Sequence, residues 1–293
     1  MNALLKNQMA TLIRRELWEH RALWIAPLVV AGLLLFGVIT GAILGHGELV
    51  YDSGVELPQN QAALAIGILS FTVPQYLVML VMLFFYLLDC LYSERKDRSI
   101  LFWKSMPVSD TKTVLSKLLT ALVVVPVGVF VLSLVTDVIV GAIVMIGVNG
   151  GSAIWDTAAW LKFRAAMIPG LVLLMLWYAP IAAYLLLLSA WARRNVFLWV
   201  SLPPLVLMIV ENRTLGTHYV FTFLQYRLAG IWSYFGSGKG VSDWDDGMPT
   251  IGALFQHVGA TRAVMDADLW LGVLAAAALT FAAIRIRMYR DDT

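Results

Sequence analysis

The sequence predicts an all-α, polytopic membrane protein, a single domain of 293 residues built on six membrane-crossing helices. Composition is the first observation behind this. Hydrophobic residues make up 60% and charged residues 14% of the chain, whereas soluble domains sit near one half and one quarter. Mean hydropathy is +0.79. The second observation is run length. No Asp, Glu, Lys or Arg lies between Arg21 and Glu48 or from Leu57 to Leu88, and Asp137 alone interrupts the run from Leu118 to Trp155. Each run exceeds the ~20 residues that cross a bilayer as a helix. The third is the placement of Lys and Arg. With six spans, 15 of the 21 fall on one side and 6 on the other, so the positive-inside rule puts both termini in the cytoplasm.

Residues 1 to 21 read as an interfacial helix, with a plain cytoplasmic lead-in as the alternative. Leu5, Met9, Leu12 and Ile13 share one helical face and Arg14 and Arg15 lie off it, while Glu16 interrupts the apolar arc. The first span is about 22–44, an anchor that stays rather than a signal peptide, since its apolar run is too long for one. Gly37, Gly41 and Gly45 repeat every fourth residue within and just after it. That spacing predicts a close helix contact, by default within the chain and otherwise with a second copy. Residues 46–61 are acidic and turn-rich, hence outside. The second span is about 63–91, with Pro74 as a kink site, and the third about 114–136.

Asp137 follows as an intramembrane carboxylate, which is a candidate functional group. It lies ~34 Å along the helix from Val114, near the outer interface. An outer loop at 149–164 carries Trp155 and Trp160. The fourth span is about 165–191, closed inside by Arg193, Arg194 and Asn195. The fifth, about 196–210, contains Pro203 and Pro204, which predict a broken, kinked or partly re-entrant element. Residues 211–268 form the largest outer region. It contains an aromatic stretch, Tyr219 to Tyr234, and an acidic group, Asp243, Asp245 and Asp246, that reads as a solvated loop rather than a cation site. The sixth span, about 269–284, stops at Arg285, Arg287 and Arg290.

The segment joining the second and third spans, residues 93–117, reads SERKDRSILFWKSMPVSDTKTVLSK. It sets Ile100, Leu101, Phe102 and Trp103 between charges, which a purely solvated loop has no use for. A short helix docked on a membrane surface or a soluble partner does. Pro107 ends that helix, and Ser109 or Asp110 can cap the next. Glu94, Arg95, Asp97 and Ser99, the apolar run, then Ser105-Met106-Pro107-Val108-Ser109 and Lys117 resemble the cytoplasmic loop of ABC-2 type transporter permeases. The order of the apolar segments extends the resemblance along the chain.

The resemblance implies a coupling helix resting on an ATPase, with Glu94, Arg95, Arg98, Ile100, Leu101, Phe102, Trp103, Lys104 and Pro107 as its residues. It also implies two copies of a separate ATPase subunit holding ATP and Mg2+, a second permease copy, and the bacterial cytoplasmic (inner) membrane as the location. The chain itself is then expected to bind no cofactor and to do no covalent chemistry. Its own motifs agree with that expectation. There is no GxSxG or HExxH, the four histidines are scattered, and Gly236 to Gly240 lacks the spacing of a phosphate-binding loop. The net charge of +2 gives no reason to expect nucleic acid. A membrane scaffold or regulatory subunit, and less so a membrane enzyme using Asp137 or the 243–246 carboxylates, stand as alternatives. Cys90 is the only cysteine, so no internal disulfide forms. It reads as a spectator at the end of the second span.

Overall fold

A computed structural model describes residues 2–44, 60–97, 108–147, 155, 157–231 and 264–289. Those residues form helices α1 (Asn2–Glu19), α2 (Ala22–Ile43), α3 (Asn60–Asp89), α4 (Tyr92–Lys96) and α5 (Asp110–Leu119). A π-helical turn, Thr120–Val124, joins α5 to α6 (Val125–Gly147). Then follow α7 (Thr157–Trp191), α8 (Val196–Thr214), α9 (Tyr219–Ala229) and α10 (Ala267–Tyr289). Six of the segments are long and apolar enough to cross a membrane: Ala22–Ile43, Gly67–Lys96, Asp110–Ile146, Thr157–Trp191, Val196–Thr214 and Ala267–Tyr289. The protein is an all-helical, multi-pass membrane protein.

Packing follows from which faces the bundle can bury. α10 lies along α7, α2 packs on both α3 and α6, and α3 also meets α7. The main core gathers Leu83, Leu87, Val114, Val125, Leu186 and Ala283 from five helices, together with Leu91 in the turn after α3. Large apolar side chains such as Leu33, Phe36, Leu77 and Leu205 point outward. That is the surface a bilayer solvates, because lipid tails are as apolar as leucine.

Several boundaries differ from the sequence expectation. The third span starts at Asp110 rather than 114 and runs to Ile146 rather than 136. The fourth starts at Thr157 rather than 165, so Lys162 and Arg164 belong to a helix and not to an outer loop. The fifth runs without a break from Val196 to Thr214 with Pro203 and Pro204 inside it. Two adjacent prolines remove donors from a single turn, and the bonds on either side hold it, among them Ser201 Oγ donating to the Phe197 carbonyl at 2.7 Å. The Arg193–Asn195 turn is as expected: Asn195 takes the left-handed conformation, φ 49°, which its short polar side chain tolerates. Ser109 is the N-cap of α5, its side chain accepting from the Lys112 N–H.

Among the described residues, nothing makes the expected close contact with Gly37 or Gly41. A Cβ added at Gly37 or Gly41 would meet nothing within 4 Å, so no described helix approaches that face of α2. Gly45 lies outside the described residues. Gly41→Leu should therefore leave the melting temperature of the purified single chain nearly unchanged, within the ~0.5 kcal/mol of an exposed substitution. A large loss would show that another chain covers the stripe. Close approach occurs elsewhere. A Cβ at Gly141 would sit 2.7 Å from the Trp155 ring, and one at Gly272 would collide with the Arg227 guanidinium.

Candidate functional site

Two buried polar clusters and a cavity lie along the bundle axis. The first cluster is at the end that carries the roots of the 98–107 loop, here called the loop end. Glu94 on α4 is 5% exposed, and Lys117 on α5 is completely buried. Lys117 Nζ bonds Glu16 Oε1 at 2.8 Å and Glu94 Oε1 at 3.1 Å. Arg287 of α10 reaches Glu94 Oε2 at 2.6 Å and Asp110 Oδ1 at 2.9 Å. Arg15 of α1 bonds Glu94 at 3.1 Å and Glu19 at 2.7 Å, and the Tyr86 hydroxyl donates to Glu16 Oε2 at 3.0 Å. Both roots of the loop thus enter one ion-paired cluster with α1 and α10. Charges this deep stay ionised only because they are paired and hydrogen-bonded.

Arg95 extends the tie to α7. Its guanidinium donates to the carbonyls of Ser189 and Ala192 at 2.6 and 2.8 Å, closing the C-terminal turn of that helix as a cation does well. Ser189 Oγ in turn accepts from the Leu91 and Tyr92 N–H groups at 3.1 Å. Of the loop residues expected to touch a partner, Glu94 and Arg95 therefore face the bundle. Arg98, Ile100, Leu101, Phe102, Trp103, Lys104 and Pro107 lie outside the described residues. Cys90 is buried at 1% exposure, which leaves it no route to modification.

His20 sits at the edge of this cluster, its ring 4.8 Å from that of Tyr86 in an edge-on contact. Burial pushes its imidazole below the usual range; the Lys117 charge acts in the same direction, against the carboxylates of Glu16, Asp89 and Glu19. A depressed pKa means the folded state prefers the neutral ring. The stability this gives is full above the unfolded value of about 6.5 and is lost as pH falls below it. The melting temperature should drop as pH falls below about 6.5, and His20→Gln should flatten part of that slope.

The second cluster is at the opposite, far end. Asp137 is 2% exposed and Arg164 is equally buried. They form a salt bridge in which Arg164 Nε donates to Asp137 Oδ2 at 2.7 Å. Trp160 Nε1 donates to the same oxygen at 2.9 Å, and Arg164 Nη2 donates to Thr72 Oγ1 at 2.9 Å. Gln75 Nε2 donates to Thr136 Oγ1 at 3.2 Å. Gln75 Oε1 and Asp137 Oδ1 meet no donor among the described residues. Asp137 lies about 30 Å along its helix from Lys117, so the two clusters bracket one hydrocarbon thickness. The sequence reading placed Asp137 at this level but without a partner, because it counted Arg164 as a loop residue.

Between the clusters lies a cavity of about 440 Å³ walled by α3, the π turn with α6, and α7. Thr72, Tyr76 and Leu83 line it from α3; Ala121, Pro126 and Phe130 from the second wall; Phe163, Leu171 and Tyr178 from α7. A helix-breaking feature sits in each wall. Pro74 is inside α3. The π turn, in which the Val125 N–H reaches the Thr120 carbonyl, precedes Pro126. Pro169 is inside α7. Prolines free backbone carbonyls and π turns often mark functional sites, so each wall carries a point where the regular helix hydrogen-bond ladder is interrupted.

α9 corrects the picture of 211–268 as a purely outer region. The Arg227 carbonyl accepts from Trp177 Nε1 at 2.9 Å, and the Leu228 carbonyl from the Tyr178 hydroxyl at 2.8 Å. Trp177 is about 21 Å along α7 from its end at Trp191, so α9 packs against the middle of that span. The Arg227 guanidinium stacks 4.7 Å from the Trp177 ring and presses on Gly272, held there by aromatic and backbone contacts. Arg227 too was counted as a solvated outer charge. Asp243, Asp245 and Asp246 lie outside the described residues. Compared with protein-family profiles, curated proteins and solved structures, the chain matches none.

Proposed function

We propose that the chain is the membrane-spanning permease subunit of an ATP-driven exporter of the ABC-2 type, set in a bacterial cytoplasmic membrane with both termini inside. Two copies work with two separate ATPase subunits that hold ATP and Mg2+. The observation that carries this reading is the loop-end ion cluster. Glu94 on one side of the loop, and Asp110 and Lys117 on the other, are ion-paired to α1 and α10, and Arg95 is bonded to the end of α7. A push on residues 98–107 by a soluble partner would reach three helices, α1, α7 and α10, through short charge-assisted bonds, which are roughly twice as strong as neutral ones.

The cavity of about 440 Å³ falls within the range of small-molecule sites and supplies the path. The helix breakers in its walls supply the give that opening toward either side needs. Residues 100–103 are the contact surface on the ATPase side.

Purification in mild detergent tests the reading, with a P-loop ATPase expected to co-purify in stoichiometric amount. A membrane scaffold or an enzyme would come without one. Orientation is tested in a Cys90→Ala background. An impermeant thiol reagent should modify Ser105→Cys only from the cytoplasmic side and Ser242→Cys only from the outside. Modification of Ser242→Cys from the cytoplasm would overturn the topology.

A further inference from the structure

We propose that the elbow between α1 and α2 seats an anionic phospholipid of the loop-end leaflet, its phosphodiester held by Arg14 and Arg21 and its acyl chains laid along α2. The argument starts from helical phase. α1 buries Leu12 and Glu16 against the bundle. At 3.6 residues per turn, Arg14, Trp18 and Arg21 fall on the opposite side of the helix. Arg21 carries this stripe past the end of α1, because its backbone is still right-handed helical at φ −56° and ψ −27°. Arg14 and Arg21 are exposed, and Trp18 is 62% exposed. Glu16 and Glu19, the acids of α1, both lie off this side.

The charge of the elbow is not cancelled. Lys117 engages Glu16 and Arg15 engages Glu19. Asp89, exposed at the end of α3, pairs with neither stripe arginine. Among the described residues neither Arg14 nor Arg21 forms an ion pair. The Arg14 guanidinium lies 4.7 Å from the centre of the Trp18 ring. That contact holds the cation in place and leaves its charge intact. Trp24 is pinned across the elbow, its Nε1 donating to the Leu17 carbonyl at 3.2 Å.

Below the indoles the same face turns aliphatic, with Ile25 and Leu28 of α2 exposed. From the elbow into the span the surface is therefore cationic, then indole, then aliphatic. A leaflet presents phosphate, interface and acyl chain in that order. Charge selects the lipid. Two guanidiniums with no carboxylate beside them favour a headgroup of net negative charge. The ammonium of a zwitterionic headgroup would find no partner there. The seat goes beyond the permease reading and does not rest on it.

The test uses the full chain, purified in detergent and titrated with dioleoyl phosphatidylglycerol or dioleoyl phosphatidylcholine, with bound lipid counted by native mass spectrometry. Phosphatidylglycerol should bind the natural chain more tightly. Arg14→Gln and Arg21→Gln should each weaken it about fivefold, and the double variant roughly 25-fold, the ratios that one and two basic residues at a charged surface set. Arg14→Lys with Arg21→Lys keeps the charge and should keep most of the preference. Lys162→Gln with Arg213→Gln removes two exposed cations outside the elbow and should leave phosphatidylglycerol binding unchanged. Equal binding of the two lipids by the natural chain would overturn the proposal. So would unchanged binding in the double glutamine variant, or an equal loss in Lys162→Gln with Arg213→Gln. Displacement of the lipid by inorganic phosphate would also overturn it, since the arginines would then serve a soluble anion.

Discussion

Glu94→Ala should destabilise the fold by about 3–5 kcal/mol, because it strips the common partner from three buried or half-buried cations. Lys117 would keep Glu16 and Arg287 would keep Asp110, but Arg15 would be left with the more exposed Glu19. The loss should show as a large fall in melting temperature and in the yield of monodisperse protein. A lone long-range attraction would not act this way; the effect comes from leaving charge behind in a dry place. A double-mutant cycle separates the two. Lys117→Leu alone and Glu16→Leu alone should each be severe, whereas the double substitution should cost less than the sum, since an apolar pair needs no compensation. Additive losses would show that the cluster is solvated in the folded protein and does not join the loop to the helices.

The second large effect belongs to the far end. Arg164→Ala leaves the Asp137 carboxylate buried with the Trp160 N–H, at 2.9 Å, as its remaining donor among the described residues, and should also cost about 3–5 kcal/mol. Arg164→Lys should rescue little. The guanidinium serves Asp137 through Nε and Thr72 through Nη2 together, and a lysine ammonium has no such fork. The double variant Asp137→Asn with Arg164→Leu should recover much of the stability of Arg164→Ala, because it removes both charges. Thermal unfolding of the three proteins in one detergent checks the order. If Arg164→Ala melts with the natural chain, the pair is not a structural element of the bundle.

The span order was legible in the sequence because uncharged run length is a direct physical requirement of the bilayer core. The Ser109 cap was legible because its chemistry is local. What escaped was pairing at a distance. Counting Lys and Arg by side treats every one as solvated, and Arg164 and Arg227 are not: Asp137 and the Trp177 face compensate them from 27 and 50 residues away. Glu16 registered as a flaw in an apolar arc. It is the inward carboxylate that meets Lys117, and an acid on the apolar face of α1 was the available signal. The Gly37 and Gly41 spacing announces that something can approach, but spacing alone does not say which helix or which chain. The cavity has no periodicity of its own, since it exists where three helices diverge. Pro74 was legible as a kink site, but nothing in the sequence shows that it shares one cavity with Pro126 and the helix that carries Pro169.

The central claim is that residues 98–107 receive an ATPase and that the loop-end cluster passes its movement on. Phe102→Ala with Trp103→Ala removes the aromatic pair, the residue type that dominates interface energetics, where a hot spot contributes on the order of 2 kcal/mol or more. The direct measurement is recovery of the P-loop ATPase on the tagged double variant relative to the natural chain, with the ATPase activity of the recovered complex. The account predicts at least a ~20-fold loss of association, the ratio that 2 kcal/mol sets, in a variant that still folds and inserts. Recovery of a fully active complex from that variant would contradict it.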